Sequence, residues 1–90
     1  MRHARADDLG RVDGLLAQLR AIDGLKEKSR GVFYVKSKAF LHFHEHEGDI
    51  VCDLRLDGID FDRRIVTSAA AQKTLVQDVR SVLATPAVRL

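Results

Sequence analysis

The stretch that decides the fold is Ala39-Phe40-Leu41-His42-Phe43-His44-Glu45-His46-Glu47-Gly48-Asp49-Ile50-Val51-Cys52-Asp53-Leu54-Arg55-Leu56-Asp57-Gly58-Ile59-Asp60-Phe61-Asp62-Arg63-Arg64-Ile65. Apolar and polar residues alternate along it, which is the period of a half-buried strand. Glu47-Gly48 and Asp57-Gly58 interrupt the alternation with residues that accept the positive φ of a tight hairpin. Folding both as two-residue turns pairs Leu41 with Leu54, Phe43 with Cys52 and His42 with Asp53 across the first. Across the second it pairs Leu56 with Ile59, Leu54 with Phe61, Arg55 with Asp60 and Asp53 with Asp62. A slip of one residue in either hairpin would send a whole apolar set to the wrong face. Leu41, Phe43, Cys52, Leu54, Leu56, Ile59 and Phe61 are therefore expected on the core side. His42, Asp53 and Asp62 are expected in a row on the other. Arg63 would fall on the core side too, which implies a bulge or the strand's end at Arg63-Arg64.

Upstream, Leu9, Val12, Leu15, Leu16, Leu19 and Ile22 recur at spacings of three and four, which predicts one amphipathic helix. Asp7 or Asp8 can cap its start and Gly24 its end, with Leu25 folding back. Residues 26–31 are basic without apolar period and read as a loop. Val32-Phe33-Tyr34-Val35 is β-branched and aromatic, hence a strand, and Ser37-Lys38 is taken as the turn into Ala39. That turn sets Tyr34 against Leu41 and Val35 against Phe40. Downstream, Thr67 or Ser68 caps a second helix with Leu75, Val76, Val79, Val82 and Leu83 on its buried stripe, and Thr85-Pro86 ends it. The expected architecture is α+β: a two-layer sandwich in the order α-β-β-β-β-α, an antiparallel meander with both helices on one face. Ninety residues make a single domain, 1–90, without repeats or linkers.

Val32-Phe33-Tyr34-Val35-Lys36-Ser37-Lys38-Ala39-Phe40-Leu41, followed by the hairpin ending in Asp53-Leu54-Arg55-Leu56, resembles the core hairpin of the MmcQ/YjbR-like family, small bacterial proteins with a frataxin-like (CyaY-like) sandwich. The resemblance covers about 25 residues. It implies that fold and a suspected DNA-binding role, and no reaction. A frataxin-type iron role does not follow, because Asp7, Asp8 and Asp13 are the first helix's only acids and cluster at its start.

Charge is unevenly spread. Residues 20–38 carry six cations against two acids, and residues 45–62 carry seven acids against one cation, within a net charge of +2. Cys52 is the only cysteine, which excludes an internal disulfide and a cysteine zinc cluster and fits a reducing compartment. The N-terminus lacks a signal peptide's apolar region and no run is long enough to span a membrane, so a cytoplasmic protein without membrane association is expected.

Three binding surfaces can be read from the residues. Phe33, Val35 and Phe40, joined by Val51, are expected on the face away from the helices, where they would want cover; this gives the leading expectation, an interaction module that forms a homodimer or takes a protein partner. Lys26, Lys28, Arg30, Lys36 and Lys38, near Phe33 and Tyr34, form the alternative, a weak nucleic-acid binder. The third is a divalent-metal site: His42 with Asp53 and Asp62 across adjacent strands, and His44 one place along the same face. Imidazole and carboxylate suit first-row metals. The same row also reads as a cross-strand charge ladder, with Arg55 and Arg64 relieving the carboxylates, and the residues favour that reading over the metal. No other cofactor is expected, and no enzyme: Cys52 is assigned to the core, no serine has spaced His-Asp partners, and every glycine is a lone turn residue or sits in the first helix.

Overall fold

The computed structural model describes residues 1–84. The chain is an α+β sandwich built on a six-stranded antiparallel sheet. Its elements run β1 (Arg2–His3), α1 (Ala6–Gly10), α2 (Asp13–Arg20), β2 (Lys26–Ser29), β3 (Val32–Val35), β4 (Lys38–His46), β5 (Asp49–Leu54), β6 (Asp62–Ile65) and α3 (Ala69–Leu83). The strand order is β2-β3-β4-β5-β6, and β1 pairs with β4. Thr85-Pro86, the expected stop of the last helix, lies outside the described residues. No described helix is long and apolar enough to cross a membrane.

One hydrophobic cluster joins the layers. Leu15, Leu16 and Leu19 of α2 and Leu75, Val76 and Val79 of α3 are buried together with Phe33, Leu41, Phe43, Cys52 and Leu54 of the sheet. The expected helical stripe is thus buried throughout, from Leu9 to Ile22. The helix itself is interrupted: Val12 leaves helical geometry at φ −125° and ψ 26°, dividing α1 from α2. Ser68 caps α3 as expected, its hydroxyl accepting from Ala71 N–H at 3.1 Å.

The Glu47-Gly48 hairpin has the expected register, with Leu41 opposite Leu54, His42 opposite Asp53 and Phe43 opposite Cys52. Both turn residues take positive φ, 51° and 85°. The preceding turn is corrected. Lys36 and Ser37, not Ser37 and Lys38, occupy it, with φ of 49° and 74°. Val35 then faces Lys38, Tyr34 faces Ala39 and Phe33 faces Leu41. One residue of β4, Phe40, is left over as a bulge, and both it and Phe33 turn into the core.

Residues 26–29 are a strand and not a loop. As an edge strand β2 needs backbone partners from β3 more than an apolar period, so its basic composition hid it. Gly31 closes the β2–β3 turn at φ +79°, where a Cβ would stand 2.8 Å from Leu9 Cδ2. Any side chain here would have to displace Leu9 and would sit at a strained backbone angle, which glycine avoids.

The last hairpin also differs from expectation. Asp57 Oδ1 accepts from the N–H groups of Ile59 and Asp60 at 2.8 and 3.1 Å, and Gly58 N–H donates to Arg55 at 3.1 Å. These local bonds wind residues 55–61 into a loop instead of a two-residue turn. Strand pairing resumes one residue out of the expected register, with Leu54 opposite Asp62 and Asp53 opposite Arg63. Ile59 and Phe61, expected in the core, are 73% and 45% exposed, and Leu56 packs only against its edge.

Candidate metal centre

One face of the sheet carries a cluster of imidazoles around one buried carboxylate. His42 and His44 alternate along β4 and project to the same side. Asp53 faces His42 across the β4–β5 ladder and is 7% exposed. Its Oδ2 lies 2.9 Å from His44 Nε2 and 3.6 Å from His42 Nε2. One ligand atom from each of the three lies within 4.8 Å of the others.

Two further residues belong to the site. β1 runs beside the end of β4, on the edge that β3 leaves free, and sets His3 opposite His44. The His3 ring is 4.9 Å from that of His44, and the His42 ring 4.8 Å from it. The placement of β1 is secured by Arg2, which donates to Asp8 Oδ2 at 2.7 Å, and by Ala4 N–H on the Phe43 carbonyl at 3.2 Å. Asp8 also accepts from Arg5 N–H at 2.9 Å, so one buried carboxylate caps α1 and holds β1. Arg63 is the second addition. Its Nε donates to Asp53 Oδ1 at 2.9 Å. Neither His3 nor Arg63 was a sequence candidate. Nothing in a two-residue strand announces pairing, and Arg63 reaches Asp53 only because the β5–β6 register moved by one.

Electrostatics follow from this packing. Burial lowers the His42 pKa, reinforced by the neighbouring charge of His44 and opposed by Asp53. The ring is therefore neutral at pH 7, the form that ligates metals. Burial by itself would push the Asp53 carboxyl up, but the Arg63 hydrogen bond and charge, with the charges of His44 and His42, hold it below the ordinary carboxylate value. Phe61 closes one side: its ring is 5.3 Å from that of His42, and the Arg55 guanidinium lies 4.5 Å above it.

The other sequence candidates disperse. Asp62 pairs with Leu54 and not with Asp53, so it is off the histidine row, and Arg63 stands in its place. The expected sheet-face patch is overturned. Phe33 and Phe40 are buried in the core, Val51 is buried in register with His44 and Ile65, and Val35 is half-buried. The Phe40 bulge, absent from the assumed two-residue turn, accounts for Phe33 and Phe40, while Val51 keeps the expected register opposite His44 but is buried there. Of the basic set, Arg30 is tied to Asp13 at 3.0 Å. Lys26, Lys28 and Lys36 line an open hollow of about 400 Å³ with Tyr34, and Lys28 Nζ stands 4.7 Å over that ring. Cys52 is buried, and burial drives its thiol far above the ordinary value, as expected of an inert core cysteine.

No protein-family model, curated protein or solved structure matches this chain.

Proposed function

We propose that this protein binds a divalent first-row transition metal on one face of its sheet, through His42, His44 and Asp53, with His3 as a fourth ligand. The carrying observation is the approach of both Nε2 atoms to the same carboxylate oxygen, at 2.9 and 3.6 Å. Tetrahedral bonds of about 2.1 Å place ligand atoms about 3.4 Å apart, so an ion fits with small side-chain rotations. Arg63 grips the carboxylate with both nitrogens, Nε donating to Oδ1 at 2.9 Å and Nη2 more weakly to Oδ2 at 3.4 Å, and so orients it, as outer hydrogen bonds do for metal ligands; an ion on Oδ2 would displace the longer of the two. Without metal the same residues form a charge ladder that satisfies the buried carboxylate. The chemistry of two or three imidazoles and one carboxylate favours zinc, nickel or manganese over calcium or magnesium.

Thermal melting of the full chain against these metals tests the reading. At about 100 times Kd a metal should stabilise the fold by about 2.7 kcal/mol. His44→Ala should abolish the gain and His3→Ala should weaken it, while Asp62→Asn should leave it unchanged. If no divalent metal moves the melt, the cluster is a charge ladder alone.

A second reading rests on the hollow around Tyr34, lined by Lys26 and Lys28, with Lys28 Nζ 4.7 Å over the ring. Cations around an aromatic ring suit phosphate with a stacked base. Mixed-sequence single-stranded DNA should then perturb Tyr34 and bind more weakly as salt rises; a salt-independent response would remove this reading. The likeness to the MmcQ/YjbR-like family would agree with it, and is supported by the hairpin residues alone.

A further inference from the structure

A cavity of about 330 Å³ opens between the β3–β4 turn, the 55–61 loop and the last turn of α3. Its walls are Val35, Phe40, Leu56, Ile59, Val82 and Leu83. Phe40 forms part of the wall because the β4 bulge turns its ring inward. Ile59 stands there because the Asp57 carboxylate winds the loop back, and that carboxylate is committed to the N–H groups of Ile59 and Asp60. Arg55 is committed as well: Nε donates to the Ala39 carbonyl at 2.9 Å, a second guanidinium N–H donates to the same oxygen, and the group stacks on Phe61. It shapes the wall and does not offer its charge to the opening.

Two cations at the mouth differ. Lys36 and Lys38 line the cavity, both are exposed, and neither forms an ion pair among the described residues. Lys36 is the first residue of the Lys36-Ser37 turn and Lys38 follows it, so both cations border the opening. An apolar hollow with a few placed polar groups is the usual form of a small-molecule site, and about 330 Å³ is at its small end. We infer that this cavity binds a short unbranched aliphatic carboxylate, its chain against Phe40, Leu56 and Val82 and its head between Lys36 and Lys38. The largely apolar walls suit a hydrocarbon chain, and the two unpaired cations at the mouth select an anionic head.

The test is titration of the full chain, with chelator present, by butanoate, hexanoate and octanoate, followed by calorimetry and amide NMR. The chelator separates the outcome from the metal reading. Octanoate should saturate, with shifts centred on Phe40, Leu56 and Val82, and affinity should rise about fourfold for each methylene added. Octanol should bind at least tenfold more weakly, and octylammonium more weakly still. The surface double variant Lys36→Glu with Lys38→Glu should lose octanoate by tenfold or more and gain octylammonium. Equal binding of octanol and octanoate, no dependence on chain length, or shifts centred elsewhere would overturn the inference. So would binding only to phosphatidylglycerol vesicles with none to monomeric octanoate, since that would mark a surface and not a cavity.

Discussion

Arg63 Nε donates to Asp53 Oδ1 at 2.9 Å, directly across the β5–β6 ladder. A guanidinium thereby occupies the position that an ideal Asp57-Gly58 hairpin would give to Asp62. The difference is one residue of register, and it converts a repelling pair of carboxylates into an ion pair. The second Asp53 oxygen is shared between the longer Arg63 contact, at 3.4 Å, and the two histidines.

Arg63→Ala should lower stability at neutral pH and raise the pH at which acid unfolds the protein. Asp53 has a folded pKa below its unfolded one, so its contribution is complete above the unfolded value and is lost as pH falls through the folded value. Removing Arg63 narrows that window. Urea midpoints of wild type and variant should therefore converge as pH drops below the carboxylate range; a gap that persists there would mean Arg63 acts through packing alone.

His42 produces a second pH effect, in the same direction but nearer neutrality. Its folded pKa is lowered from 6.5 mainly by burial. Between the folded and unfolded values the unfolded chain binds more protons, so stability falls as pH drops below about 6.5 and levels off under the folded pKa. His42→Gln should flatten this part of the metal-free stability profile. An unaltered profile would place the titration elsewhere.

The β3–β4 turn offers a test of register. Lys36 and Ser37 sit at positive φ, which costs side-chain-bearing residues about 1–2 kcal/mol each. Replacing the pair with Asn-Gly should stabilise the protein by about 1 kcal/mol, read as a higher urea midpoint with the same slope. If the turn lay at Ser37-Lys38 instead, the exchange would bring no such gain.

Leu54→Asp and Ile59→Asp should part company. Leu54 is fully buried in mid-sheet, and an unpaired carboxylate there costs several kcal/mol, comparable to the stability of a small domain. Ile59 is 73% exposed, and its substitution should stay within about 0.5 kcal/mol. Circular dichroism melts settle it: equal losses would put Ile59 back in the core where its alternation with Phe61 had placed it.

In the proposed metal site β1 would supply the fourth ligand, so Arg2→Ala should act on metal binding more than on the fold. Arg2 holds β1 to α1 through Asp8 at 2.7 Å, and β1 carries His3. Calorimetry with zinc should show affinity lost to about the same extent as in His3→Ala, with the melt of the metal-free chain nearly unchanged. Undiminished affinity in both variants would remove His3 from the ligand set.

The sequence by itself determined the sheet's centre. Alternation through Leu41, Phe43, Cys52 and Leu54, with a glycine turn at residue 48, leaves one register that puts these four side chains on one face, and that register sets His42 and Asp53 side by side. The helical stripe from Leu9 to Ile22 was legible for the same reason: a period repeated along the chain needs no distant partner to be read. What only the tertiary structure decided lies where the deciding partner is remote or the bonding is not periodic. β1 and β2 are edge strands defined by backbone pairing to β4 and β3, which leaves no apolar signature. The Phe40 bulge and the 55–61 loop each move a register by one residue. The first came from the Lys36-Ser37 turn, and the second from a single carboxylate bonding to the backbone beside it. Because side chains alternate on a strand, a one-residue move exchanges faces. That exchange buried Phe33 and Phe40, exposed Ile59 and Phe61, and brought Arg63 in place of Asp62 to the carboxylate at the centre of the site.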